Sequence, residues 1–548
     1  VFDPVSGVLL DEPDVEAIYA VRQLTLMFSK ISYSEESPQG DTPGQSYHRK
    51  VVSSEREAKA MSDFVQCEQD VRLSDERLDP AYLSDFKRMS GVLFGDLFAK
   101  MDREVHWGRL IPKHGPGATA DRLTGNGKFD QRTWPRRLER VFPAQEFLAA
   151  NSRSWEMIRD EVTYLEPGDE IPVRVISVPK TIKTPRIIAI EPTAMQYAQQ
   201  ALLRVFKDVL KEDDFLSHVI GIDDQEPNRA LAHRGSQRGD LATLDLSEAS
   251  DRVSNQHVRA MLEDYPQLLE AVQACRSRKA DVPGHGVIRL AKFASMGSAL
   301  CFPFEAMVFL TVVFLGIERE LNAPLSRRTL IRRFGEQVRV FGDDLIVPRD
   351  YVLSVVHELS VFGHKVNVSK SYWTGRFRES CGREFYDGQD VGIVKVRENL
   401  PTRRQDASVE SAVALRNLLY WGGLWRCAQY MDNHLRKLLG VFPNVSSSST
   451  VLGRESALGY EYQRIHPNHH SPLVRGWFMV AKAPESQLRG HGALLKCLLR
   501  SARADWGLVP HVPQRRLAID CESVDAEHLE RTGRPERVSI KLGWRSPI

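Results

Sequence analysis

Two β-prone runs, VRVF (338–341) and LIVP (345–348), are separated only by Gly342-Asp343-Asp344. Short apolar runs on either side of a Gly/Asp turn predict an antiparallel hairpin. Gly and Asp are ordinary turn residues, but a turn needs only one Asp. A second carboxylate at the end of two apolar strands makes a like-charge pair that repels unless a cation neutralises it. Hard oxygen ligands of this kind suit Mg²⁺, which keeps waters and substrate phosphates in its shell.

A third carboxylate lies upstream. LATLDL (241–246) is an apolar run suited to a buried strand, with Asp245 near its end. Asp251 follows six positions later (251 − 245 = 6) and reads as the opening residue of a helix, where Asp is a favoured cap. A strand-end Asp beside the hairpin would complete a site for two metals bridging a triphosphate. Further upstream, VRVISVPKTIKTPRIIAIEP (173–192) spaces Arg174, Lys180, Lys183 and Arg186 along Val/Ile-rich, extended backbone. Pro179 and Pro185 favour a rigid segment there, and Arg and Lys suit phosphate as fork and point charge respectively. Between the two Asp segments lies ASMGSALCFPFEAMVF (294–309), a small-residue loop opening an apolar helix. NVSKSYW (367–373), with Lys370, and RFRESCGREF (376–385) follow the hairpin.

Periodicity places amphipathic helices at 194–211 and 351–362, the second stopped by Gly363. YSEESPQGDTPGQ (33–45) reads as an exposed loop and PNVSSSST (443–450) as a break. The chain after about residue 400 reads as mostly helical. There Trp421, Trp425 and Tyr430 are expected to pack between helices, or one of them to offer a stacking platform. Ala306–Ile317 is too short to span a bilayer and is expected to be a core helix.

Lys plus Arg number 74 and Asp plus Glu 72, a net charge of +2 over 548 residues. Bulk charge therefore cannot hold a polyanion, and any such site must come from local clusters. The seven cysteines form no C-x-x-C pair, which excludes a zinc ribbon and favours a reducing cytosol. Cys381 is expected to be a packed thiol, and His466, His469 and His470 an exposed loop rather than metal ligands. The opening VFDPVSG lacks a basic n-region and a Met, so neither a signal peptide nor the true N-terminus is expected there.

In order along the chain, these segments are those of a right-handed polymerase palm. Together with HGPGAT (114–119) and GIDDQEPNRALAHRGSQRGDLATLDLSEASD (221–251), they resemble the replicase catalytic (β) subunit of positive-strand RNA bacteriophages, the Qβ-like group. The resemblance covers about half the chain and implies an α+β fold of fingers, palm and thumb, with an antiparallel-sheet palm and largely helical fingers and thumb. It implies an N-terminal extension (1–110), fingers (111–240), palm (241–400) and thumb with C-terminal region (401–548). It implies template-directed synthesis of RNA from ribonucleoside triphosphates on single-stranded RNA, with Asp245, Asp343 and Asp344 holding two Mg²⁺ ions, or Mn²⁺ in their place. Lys370 would be the general acid. Arg174, Lys180, Lys183 and Arg186 would bind triphosphate and template. Asp251, Ser295, Gly297 and Ser298 would select the ribose, Ser298 standing where relatives often carry Asn. Gly115, Pro116 and Gly117 would guide the template. Host elongation factors Tu and Ts and a ribosomal protein would be partners, in the cytoplasm of an infected bacterium and away from membrane. The competing readings are a reverse transcriptase and a non-catalytic RNA-binding protein descended from a polymerase.

Overall fold

A computed structural model describes residues 1–31, 54–178, 185–405, 408–482, 488, 490–502 and 537–548. Lys180, Lys183 and the expected loop 33–45 lie outside the described residues. The class is α+β. A four-stranded antiparallel sheet in the order Lys365–Val366, Leu241–Ser247, Asp344–Pro348, Arg339–Phe341 sits on the main hydrophobic core.

The helices beneath this sheet follow from spacing. In Pro80–His106, Phe86, Met89, Leu93, Leu97, Met101 and Val105 recur at three- and four-residue steps and are buried. Its first turn is closed by Pro80 and by Asp79, which accepts from the Ala81 amide at 2.8 Å. Thr193–Lys211 matches the expected helix within a residue. Val352–Val361 does so too, and it ends at Gly363 with φ +78°.

Cys301–Leu321 is longer than its apolar run suggests. At 21 residues it is long and apolar enough to cross a membrane, so length does not exclude that reading. Its composition has another cause: 89% of its most apolar window is buried inside the protein, where it is apolar all round because it is surrounded.

A second sheet joins Arg186–Ile190, Val173–Val178, Lys279–Val282 and Gly286–Arg289. One face of the pair Val173–Val178 and Arg186–Ile190 packs Val173, Val175 and Ala189 against Met61 and Phe64 of the helix Ser54–Arg77. That helix crosses from this sheet to the central one and is integral to both.

The expectation of a mostly helical chain after residue 400 is only half right. Ser408–Trp421 and Trp425–Leu439 are helices with their own core, but they pack beside a sheet. In that sheet Pro472–Lys482 and Arg537–Arg545 pair antiparallel over nine positions. The reason is legible afterwards: RVSIKLGWR is rich in β-branched and aromatic residues, but its partner strand lies more than fifty residues away in sequence. Trp421, Trp425 and Tyr430 do not pack between the helices either; they are 57%, 68% and 65% exposed, because Leu419, Ala428, Met431 and Leu435 take the buried positions.

Candidate active site

The hairpin forms as expected but tighter. Phe341 pairs with Asp344, leaving Gly342-Asp343 as a two-residue turn. Gly342 has φ +58° at the first turn position, the glycine site of a type II′ turn. A Cβ there would also stand 2.6 Å from the Phe302 ring. Asp343 is thus held at the exposed tip, while Asp344 begins the return strand.

On the neighbouring strand Asp245 is the direct cross-strand partner of Asp344. Two carboxylates at one register position with a third in the adjoining turn is an arrangement that like charge disfavours. Burial lifts the Asp344 pKa to about 6, with the Asp343 charge adding to it, although the Cys381 amide donates to its Oδ2 at 3.2 Å. Burial raises that of Asp245 as well, opposed by Lys370 and helped by Asp343.

Asp245 is gripped by the segment after the hairpin. Its amide donates to Ser371 Oγ at 3.0 Å, its carbonyl accepts from the Asn367 amide at 2.8 Å, and its Oδ2 accepts from Asn367 Nδ2 at 2.9 Å. Lys370 Nζ lies 3.6 Å from the same Oδ2 and is 56% exposed. No group of three or more His, Cys, Asp or Glu side chains converges closely enough to hold an ion among the described residues. The donor set nevertheless fits a hard divalent cation: all-oxygen, self-repelling, and driven toward protonation by burial.

Glu379 is a fourth carboxyl here that the sequence reading passed over. It lies on the strand Phe377–Ser380, and burial, then Asp344, raises its pKa to about 7. In sequence its segment RFRESCGREF stands out as a motif that follows the hairpin and for its thiol, not for this carboxyl. Cys381 is buried as expected, and with φ +49° it forms the turn of that second hairpin with Gly382.

Asp251 departs from its expected place. It belongs to a 3₁₀ turn, Ser250–Arg252, and the following helix Asn255–Leu262 is capped by Ser254. Asp251 Oδ1 instead accepts from Lys292 Nζ at 2.9 Å. Gly297 permits a close backbone approach, but to protein. It adopts φ +134°, and a Cβ would fall 2.0 Å from the Ala189 carbonyl oxygen. The Ala189 amide donates to the Met296 carbonyl at 2.9 Å, so the loop is stitched to the strand Arg186–Ile190. Ser298 Oγ is bonded to Gln199 Oε1 at 3.1 Å, and Ser295 Oγ is buried without a hydrogen-bond partner.

Register puts Arg174 and Arg186 on one face of their strand pair, opposite the face that Met61 and Phe64 cover. Ile188, on that same face, lies 3.6 Å from where a Cβ on Gly297 would stand. The turn Gly115-Pro116-Gly117 is not a free loop. Lys128, 2% exposed, donates to the Gly115 carbonyl at 2.7 Å and to that of Gly117. His466 Nδ1 accepts the amides of Asn468 and His469, which orders the histidine loop.

An antiparallel sheet presents Asp245, Asp343 and Asp344 at one end, and a second sheet carries Arg174 and Arg186. Residues 160–406, a little under half of the chain, match the family described as RNA replicase, beta-chain. The chain is 29% identical over 388 residues to the RNA-directed RNA polymerase subunit beta of Escherichia virus Qbeta, covering 67% of this chain and 60% of that one. It is 32% identical over 258 residues to the subunit beta of Qbeta virus strain MX1, covering 46% and 40%. It is 35% identical over 221 residues to the RNA-directed RNA polymerase beta chain of Escherichia phage MS2, covering 40% and 36%. The chain thus spans less than two thirds of these relatives' lengths. Among solved structures it is similar to the BmCPV RNA-dependent RNA polymerase at elongation state, with TM-score 0.37, 9% identity and coverage of 61% and 31%.

Proposed function

We propose that this chain catalyses template-directed RNA synthesis from ribonucleoside triphosphates on single-stranded RNA, replicating a phage genome in the cytoplasm of a bacterial host. The observation that carries the reading is the register pair Asp245–Asp344 with Asp343 in the adjoining turn: three carboxylates on one sheet end, with the half-exposed Lys370 3.6 Å from one of them. These three would hold two Mg²⁺ ions, or Mn²⁺, whose chemistry there is to acidify the attacking 3′-hydroxyl and to neutralise charge on departing pyrophosphate.

The chain's own residues supply the rest. Arg174 and Arg186, with Lys180 and Lys183 between them in sequence, bind the triphosphate and template backbone. Lys370 holds a proton beside Asp245 and delivers it to the leaving oxygen. Asp251, ionised and acceptor-only, takes the hydrogen bond of a ribose 2′-hydroxyl. Ser295, Gly297 and Ser298 act by shaping the loop beneath the incoming nucleotide. The turn Gly115-Pro116-Gly117, stiffened by Lys128, guides the template. In these terms residues 111–240 are fingers, 241–400 palm and 401–548 thumb, with 1–110 an N-terminal extension.

Incorporation of labelled ribonucleotide on an RNA template, with and without Mg²⁺ and with deoxynucleotides in parallel, tests the reading. Metal-dependent ribonucleotide incorporation supports it, deoxynucleotide incorporation points to a reverse transcriptase, and none at all points to a non-catalytic RNA-binding protein. Elongation factors Tu and Ts and a ribosomal protein belong to the same proposal. Their stoichiometric recovery with active enzyme supports it, and an active pure monomer speaks against it.

A further inference from the structure

Lys292 is the most completely enclosed charge beside the site. It is 0% exposed, and its Nζ has three neighbours: Asp251 Oδ1 at 2.9 Å, Glu68 Oε1 at 3.2 Å, and the Phe64 ring centroid at 3.4 Å. Glu68 and Phe64 come from the helix Ser54–Arg77, whose register here is held by several further contacts. Glu68 Oε2 accepts the Ala291 amide at 2.6 Å, Asp70 pairs with Arg252 at 2.9 Å, and Asp75 accepts from Ser254 Oγ at 2.7 Å. Arg252, the cation next to Asp251 in sequence, is committed to Asp70 and Glu248.

An ammonium in such a place is expensive unless matched. Isolated burial would strip its proton, yet Asp251 and Glu68 outweigh that cost and its pKa is raised overall. The Asp251 side chain itself is 22% exposed. Glu305, buried on Cys301–Leu321, has its pKa pushed well up, by burial first and then by the charges of Asp343 and Asp251.

We propose that Lys292, set by Glu68 and Phe64 of the helix Ser54–Arg77, is a positioning residue for sugar selection: it fixes one Asp251 oxygen so that the other is presented, as an acceptor, to the nucleotide's ribose. This rests on the reading of Asp251 given above. It makes a helix from the weakly recognised N-terminal part of the chain a determinant of substrate choice. Lys292 touches no substrate and acts through Asp251 alone.

The test compares kcat/KM for ribo- and deoxynucleotide incorporation in four variants of the full chain, with melting temperatures measured alongside. Asp251→Asn should lower the ribo/deoxy ratio about tenfold or more, the scale of one unpaired polar group. E68Q/K292M removes the buried pair together and leaves no new unpaired charge except Asp251. It should lower the ratio to about the Asp251→Asn level, through ribonucleotide KM, with deoxynucleotide incorporation unchanged. Adding Asp251→Asn to that double variant should change the ratio no further. General damage to the fold would instead depress both substrates together. Should E68Q/K292M prove too unstable to assay, E68Q/K292Q removes the ammonium and the Glu68 carboxylate together but leaves amide groups able to hydrogen-bond in their place; its ratio should also fall. A wild-type ratio in the folded double variant overturns the role of Lys292, provided Asp251→Asn lowers the ratio. A wild-type ratio in Asp251→Asn itself overturns the reading of Asp251, and the proposal with it.

Discussion

Asp245 and Asp251 stand six residues apart, each has a lysine beside it, and the two lysines differ in every respect that matters. Lys292 is enclosed, bonded to Asp251 at 2.9 Å, and backed by a second carboxylate and an aromatic ring. Lys370 is 56% exposed and stands 3.6 Å from Asp245. The first is a permanent counter-ion that turns a carboxylate into a fixed part of the structure. The second is a half-exposed ammonium beside one of three carboxylates, which leaves the cluster a demand for an external cation. A buried charge that is matched from within serves geometry; one left unmatched serves chemistry.

The largest expected effect breaks the unmatched cluster. Asp343→Asn keeps the volume at the exposed turn tip and removes one charge, so Mg²⁺-dependent polymerisation should fall below detection while RNA binding, measured by filter retention, stays near wild type. Activity near wild type would show that the cluster holds no catalytic metal. Next in size, Lys370→Leu should slow the single-turnover chemical step by on the order of 10²-fold, the lower end for a general acid. Nucleotide affinity should barely change, because a loosely held, exposed ammonium contributes little to ground-state binding. An unchanged single-turnover rate would make Lys370 a surface lysine like many others.

The contrast between the two lysines also marks what could be read from sequence. The strand carrying Asp245 and the hairpin carrying Asp343 and Asp344 were legible because local pattern carries them: β-prone runs on either side of a Gly/Asp turn. The helices 193–211 and 352–361 were legible for the same reason, through apolar period. Lys292 was not, since its meaning lies in Glu68, more than two hundred positions away, and no periodicity links a helix to a loop at that distance. The pair Pro472–Lys482 and Arg537–Arg545 failed likewise, as strand pairing is a long-range choice. For Asp251 the local rule offers a helix cap as the alternative to a ribose contact; the cap is instead Ser254, which obeys the same rule three residues on. Gly297 was assigned to the nucleotide, but its missing Cβ makes room for the Ala189 carbonyl.

The smallest effect concerns stability, and it sharpens the comparison from the structural side. Asp344 has its pKa raised from 3.8 to about 6, by burial first and by Asp343 second. A carboxyl whose folded pKa lies above its unfolded value binds its proton more tightly in the native state. It therefore costs nothing below about pH 4, where it is protonated in both states, and destabilises progressively as pH rises through about 6. Asp344→Asn removes that cost while its amide oxygen can still accept the Cys381 amide. In chelator at pH 8 the variant should be more stable than wild type by about 1–3 kcal/mol, taking about 1.4 kcal/mol per pKa unit as the scale. The difference, followed by thermal melting, should shrink toward pH 4. Saturating Mg²⁺ at pH 8 should close it from the other direction, by stabilising wild type and leaving the variant nearly unchanged. Lys292→Met should behave oppositely in chelator, losing stability at pH 8 because it strips the one counter-ion from Asp251 and Glu68. If both substitutions shift melting in the same direction, the distinction between a matched and an unmatched carboxylate cluster is wrong.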